Sequence, residues 1–86
     1  MPEICRFFGI IVAMHYNDHP PPHFHVRYGD QKALVAIREP RVLRGRLTPR
    51  ALGLVMEWAA LRQDELMRDW LLAEIDEPLN AITPLE

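Results

Sequence analysis

The stretch from His23 to Ile37 constrains the fold more than any other part of the chain. His23 to Tyr28 alternates strictly, with Phe24, Val26 and Tyr28 on one side and His23, His25 and Arg27 on the other. That is the period of a strand with one dry face and one wet face. Gly29-Asp30 has the composition of a two-residue hairpin turn. Lys32 to Arg38 then supplies Ala33, Leu34, Val35, Ala36 and Ile37, the near-continuous apolar run of a well-buried strand. An antiparallel hairpin follows, and its apolar face requires a cover.

Upstream, Ile10 to Tyr16 reads as another strand, with Ile10, Val12, Met14 and Tyr16 sharing a face. Asn17-Asp18-His19 and the triple proline Pro20 to Pro22 make a stiff loop, because proline lacks the N–H a ladder needs and holds its predecessor extended. Val42 to Leu47, beyond Glu39-Pro40, is a candidate fourth strand at a sheet edge. Thr48-Pro49 is a helix start, a hydroxyl at the N-cap and proline at the first helical position. Leu52, Val55, Met56 and Ala59, widened by Trp58 and Leu61, give a helix over about 49–62. Leu66, Met67, Trp70, Leu71 and Ile75 continue the period, while Arg62-Gln63-Asp64 marks a kink or a fresh start, so one bent helix or two are expected. Trp58 and Trp70, at helical spacing, belong to the core. Pro78 and Pro84 leave an irregular end. The fold class is a small α+β domain, an antiparallel sheet of three to four strands packed against a C-terminal helical segment.

Eighty-six residues, 49% of them apolar, suffice for one core, so residues 1–86 are read as a single domain. The longest apolar run, Phe7 to Met14, is interrupted by Gly9 and falls well short of the roughly 20 residues a membrane helix needs. No signal-peptide pattern opens the chain, and the lone Cys5, read as a small apolar residue near the first strand, cannot form an internal disulfide. Both features point to the cytoplasm.

The net charge of -2 conceals segregation. Residues 1–50 carry eight Lys/Arg against four Asp/Glu, and residues 51–86 carry two against eight. Arg38, Arg41, Arg44, Arg46 and Arg50 offer planar donor forks suited to phosphate. They are candidate nucleic-acid contacts, or else a solvated strand edge whose charges prevent aggregation. The acidic residues Asp64, Glu65, Asp69, Glu74, Asp76 and Glu77 read as a solvated helix surface.

All four histidines, His15, His19, His23 and His25, fall within eleven residues and are interleaved with Asp18. The register that buries Phe24, Val26 and Tyr28 with Ile10, Val12, Met14 and Tyr16 also brings His15 to the side of His23 and His25. His19 is the outlying member, because three extended prolines would hold it roughly 12 Å from His23 unless the loop turns. Three chemistries suit such a cluster. His15, His23 and His25 with Asp18 are candidate ligands of a divalent transition metal such as zinc. His23, His25 and His15, with Arg27 to stabilise phosphorane charge, are candidate acid–base residues for metal-free RNA cleavage. A partner- or RNA-contacting loop is the third. No cysteine pair, HExxH, P-loop or GxSxG accompanies the cluster.

Pro2 to Ile10, the block Asp18-His19-Pro20-Pro21-Pro22-His23-Phe24-His25, Tyr28-Gly29, Arg50-Ala51 and Glu57-Trp58-Ala59 together resemble a family of short bacterial proteins, the domain of unknown function numbered four-one-six-zero. The histidine-proline block is the specific part. Cys5 stands where serine is common, Pro20 adds a third proline, and Thr48 replaces a frequent proline; no candidate site residue is lost. The resemblance implies a place in toxin–antitoxin modules, and the expected function is the toxin, acting on RNA or the translation machinery through the histidine cluster. The small protein of a neighbouring gene would be its partner, with RNA or DNA as further partners and homo-oligomers allowed. Two other roles compete: a noncatalytic nucleic-acid-binding regulator using the arginine stretch, and a histidine-based metal-binding accessory protein.

Overall fold

A computed structural model describes residues 2–86. Five strands form one antiparallel meander in the order β1 (Glu3–Phe7), β2 (Ile10–Ala13), β3 (His23–Tyr28), β4 (Gln31–Ala36) and β5 (Val42–Gly45). Two helices follow, α1 (Pro49–Leu61) and α2 (Gln63–Glu74). The class is α+β as expected, but the sheet has five strands rather than three to four. The additional strand is β1, joined to β2 by Phe8-Gly9 with both residues at positive φ (48° and 81°). Two positive-φ residues are what a tight hairpin turn requires, but phenylalanine is not a residue that announces one. At Gly29, φ is +61°, and the β3–β4 turn closes where the sequence places it.

The registers sort the sheet into two faces. Val12 opposes Val26, Ala13 opposes His25, and Phe24 opposes Val35. Phe7, Ile10, Val12, Phe24, Val26 and Val35 therefore share the face that meets Val55, Trp58, Ala59, Leu66 and Trp70 of the helices. Trp58 is the centre of this core, fully buried, its ring 5.4 Å from Phe7 and 5.8 Å from Phe24. Its indole N–H donates to the Thr83 carbonyl at 2.8 Å. Ile82 N–H donates to the Ile4 carbonyl, so the irregular end of the chain is pinned along the β1 edge.

Thr48 caps α1 as expected, its hydroxyl accepting from the Ala51 N–H at 3.4 Å. The helical segment is two helices, broken at Arg62 (φ -114°, ψ 22°), and Gln63 at the break donates to the carbonyls of Ile37 and Arg38. Four expectations need correction. The Ile10 strand ends at Ala13, so Tyr16 leaves the apolar face and is exposed. The fourth predicted strand stops at Gly45, because the chain turns away there at positive φ. Leu61, Leu71 and Ile75 are exposed, since the break at Arg62 interrupts the helical period and Ile75 lies past the end of α2. Asp69, assigned to the solvated acidic surface, is buried at 1% exposure and accepts from the Asn80 N–H.

Candidate functional site

The histidine segment occupies one end of the sheet. Past Ala13 the chain leaves the ladder, and Met14 N–H donates to the Pro2 carbonyl while Asn17 N–H donates to the Ala73 carbonyl at the end of α2. Asn17 takes positive φ (53°), and its side-chain amide donates to Asp76 Oδ1 at 2.7 Å. The proline loop returns the chain to β3, with Ile37 N–H donating to the Pro22 carbonyl. Asp18 is thereby held over the ends of β2 and β3.

Asp18 organises the cluster. Its Oδ2 accepts from His25 Nε2 at 2.9 Å and from His23 Nε2 at 3.0 Å, and its Oδ1 accepts from the His19 N–H at 2.8 Å. Burial acts to raise the pKa of this carboxyl, but the hydrogen bonds from His25 and the His19 backbone, with His23 beside them, outweigh it and hold it down at about 2. A carboxylate can only accept, so both histidines donate to it from Nε2. His23 also donates from Nδ1 to the Pro21 carbonyl at 2.8 Å, which fixes its ring at both ends. His25 shows no such second tie.

The four histidines have different surroundings. His23 is buried at 5% exposure with its ring 5.3 Å from Trp70, so it faces inward. His15 stacks on His25, ring centroids 3.6 Å apart and planes 17° from parallel. Its Nδ1 lies 3.9 Å from Asp18 Oδ2, too far for a hydrogen bond, and its buried Nε2 has no partner. Burial, then the adjacent His25, pushes the His15 pKa below the ordinary histidine value, with Asp18 pulling weakly the other way. His19 contributes only its backbone N–H to the cluster, and its side chain is exposed.

Of the candidate metal ligands, His15, Asp18 and His25 each place one ligating atom within 4.8 Å of the others. Neutral imidazole with carboxylate is a donor set that zinc, nickel, copper or iron accepts. His23 borders this triad through Asp18.

Next to the cluster, the sheet's open face forms a groove of about 340 Å³. Ile11, Ala13 and Leu34 form its apolar floor, Arg27, Lys32 and Arg44 stand around it, and His15 and His25 close one end. The registers explain the array: Ile11, Arg27 and Lys32 are lateral neighbours, as are Ala13, His25, Leu34 and Arg44. Arg27 is thus brought to the histidines. Of the five arginines singled out downstream, Arg44 reaches this groove, whereas Arg38, Arg41, Arg46 and Arg50 are exposed outside its lining. Lys32 and the floor residues Ile11 and Leu34 escape a reading of the sequence for function. Their signal was the presence of apolar residues at the polar positions of two strands.

No helix among the described residues is long and apolar enough to cross a membrane. No curated protein and no solved structure matches the chain. A family model matches residues 9–71, which span all but the first strand and the C-terminal end and contain every histidine, Asp18 and the whole groove lining. The chain belongs to the family described as a domain of unknown function, DUF4160.

Proposed function

We propose that this protein is the toxin of a toxin–antitoxin pair and cleaves RNA at the histidine cluster, in the cytoplasm, under control of a small partner protein from a neighbouring gene. The observation that carries the reading is the Asp18–His25 hydrogen bond at one end of a groove ringed by cations. Asp18, ionised with its pKa at about 2, accepts a hydrogen bond from His25 Nε2–H, which keeps the proton on Nε2 and leaves Nδ1 as the basic nitrogen. An Asp–His pair of this kind fixes both tautomer and orientation, which is what a general base requires.

His25 Nδ1 takes the proton of a ribose 2′-hydroxyl, and the 2′-oxygen attacks the adjacent phosphorus. The bond from phosphorus to the 5′-oxygen breaks, and that oxygen takes a proton from His15 or solvent. Arg27, two residues along the same strand and lining the same groove, offsets the charge that builds on the phosphoryl oxygens. His23, tied at both nitrogens and backed by Trp70, positions Asp18.

The test is induction of the protein alone in a bacterium, alongside the folded His25→Ala variant, followed by an RNA-cleavage assay. Growth arrest and cleavage by the native chain, both lost in the variant, are expected. Unimpaired growth of both strains overturns the toxin reading, and equal arrest of both overturns the role of His25. The convergence of His15, Asp18 and His25 favours a second reading, a metal-dependent centre. Cleavage abolished by a chelator and restored by zinc would select it over the metal-free mechanism.

A further inference from the structure

We infer that the groove on the open face of the sheet is a binding site for single-stranded RNA, in which unpaired bases lie on the floor of Ile11, Ala13 and Leu34 and phosphates meet Arg27, Lys32 and Arg44. The choice of ribose over deoxyribose rests on the cleavage reading above; the choice of a single strand rests on the groove itself.

Three features of the surface select this occupant. Among the described residues, none of Arg27, Lys32 and Arg44 forms an ion pair, and no acidic side chain lines the groove. Glu3, the acid that the β1–β2 register places opposite Ala13, is engaged by Arg6 at 2.8 Å; Arg27 is near enough to help lower its pKa but makes no ion pair with it. Three cations outside any ion pair, converging on one concave surface, fit a polyanion. The floor between them is apolar, and Ile11 and Leu34 are half-buried rather than covered. A duplex keeps its bases stacked inside and would meet only the cations, whereas a single strand can lay its bases on the floor.

An acidic peptide is the competing occupant, and the sheet argues against it. The groove is centred on β2, β3 and β4, each hydrogen-bonded to a strand on both sides. Their backbone groups are already paired, so a peptide cannot bind there by strand addition and would have only side chains to hold it. The groove ends at His15 and His25, so a strand lying along it brings a phosphodiester to the cluster.

The test is fluorescence anisotropy with the full chain and a labelled single-stranded RNA of twelve mixed-sequence nucleotides, with a gel afterwards to read cleavage. Competitors are the same RNA as a duplex, the DNA strand of the same sequence and a poly-glutamate peptide. RNA binding is expected to be at least tenfold tighter than duplex binding. Lys32→Glu/Arg44→Glu should weaken it at least tenfold and make the salt dependence shallower by about 1.4 in log–log slope, two lost contacts at about 0.7 each. Leu34→Asn, which removes apolar floor and leaves the charges, should weaken binding severalfold, whereas Arg38→Glu/Arg41→Glu should change it less than twofold. Thermal melts establish that each variant is folded.

Absence of RNA binding at low salt overturns the inference. So does equal affinity for the duplex, tighter binding of the peptide, or an unchanged affinity in the Lys32→Glu/Arg44→Glu variant; equal affinity for the DNA strand overturns the choice of ribose alone. Binding with an intact probe on the gel upholds the groove and sinks the cleavage reading, so the two fail separately.

Discussion

The two faces of the sheet come from alternate residues of the same strands and behave as different materials. Under the helices, Ile10, Val12, Phe24 and Val35 are fully buried and meet Trp58, Val55 and Leu66 in one continuous core. On the other side, Ile11 and Leu34 sit half-buried among Arg27, Lys32 and Arg44. The first face is apolar because it drives folding; the second keeps apolar residues with no helix to cover them and cations with no acid to pair them. A sheet face turned to solvent needs neither for stability, and this makes the open face the place to look for recognition.

The comparison can be broken by truncation. Phe24→Ala on the covered face should destabilise the fold by about 3–5 kcal/mol, the cost of removing a buried aromatic from a close-packed core. Urea denaturation measures it, and a loss under about 1 kcal/mol would mean that the core is not where the burial places it. Gly45→Ala comes next. Gly45 has φ of +82°, and a methyl group there would lie 2.1 Å from the Lys32 carbonyl oxygen, a backbone atom that cannot move aside alone. A loss of about 2–4 kcal/mol is expected from positive-φ strain and displacement of β4.

Asp69 sharpens the contrast from the covered side, where a charge is out of place. Burial raises its pKa, the Asn80 N–H opposing, and its Oδ2 has no partner. A raised folded value means that the wild-type chain loses stability as pH climbs from about 4, the unfolded aspartate value, through the folded one. Asp69→Asn keeps an acceptor for Asn80 and removes the charge, so it should be the more stable chain at neutral pH by about 1 kcal/mol. That advantage should vanish below about pH 4, and melts across the pH range would show whether it does. The smallest effect on stability belongs to the open face: Leu34→Ala should cost under about 1 kcal/mol, because the residue is only partly covered. A larger loss would place Leu34 in the core and remove the basis for distinguishing the faces.

Much of this architecture was legible in the residues. The alternation from His23 to Tyr28 and the turn at Gly29-Asp30 locate β3 and its hairpin, and one-sided burial of two neighbouring strands sets a register that brings His15 toward His25. The first strand was not legible, because Glu3–Phe7 ends in a turn led by Phe8, and a phenylalanine at positive φ is held there by the paired strands around it. Asp69 was misplaced for a related reason. A charged side chain in a helix rich in acids reads as solvated, and only the return of the chain at Asn80 supplies the N–H that makes its burial tolerable.

At the cluster the division is similar. Residue types and spacing alone determined that His15, Asp18, His23 and His25 would gather at one end of the sheet, because strand periodicity acts on neighbours a few residues apart. The tertiary structure decided their separate roles. Trp70 from α2 backs His23, Ala73 and Asp76 anchor the loop that carries Asp18, and Arg44 arrives from a strand added two hairpins later. Each of these partners is distant in the chain, and contacts of that kind depend on how whole elements pack, for which local pattern carries no record.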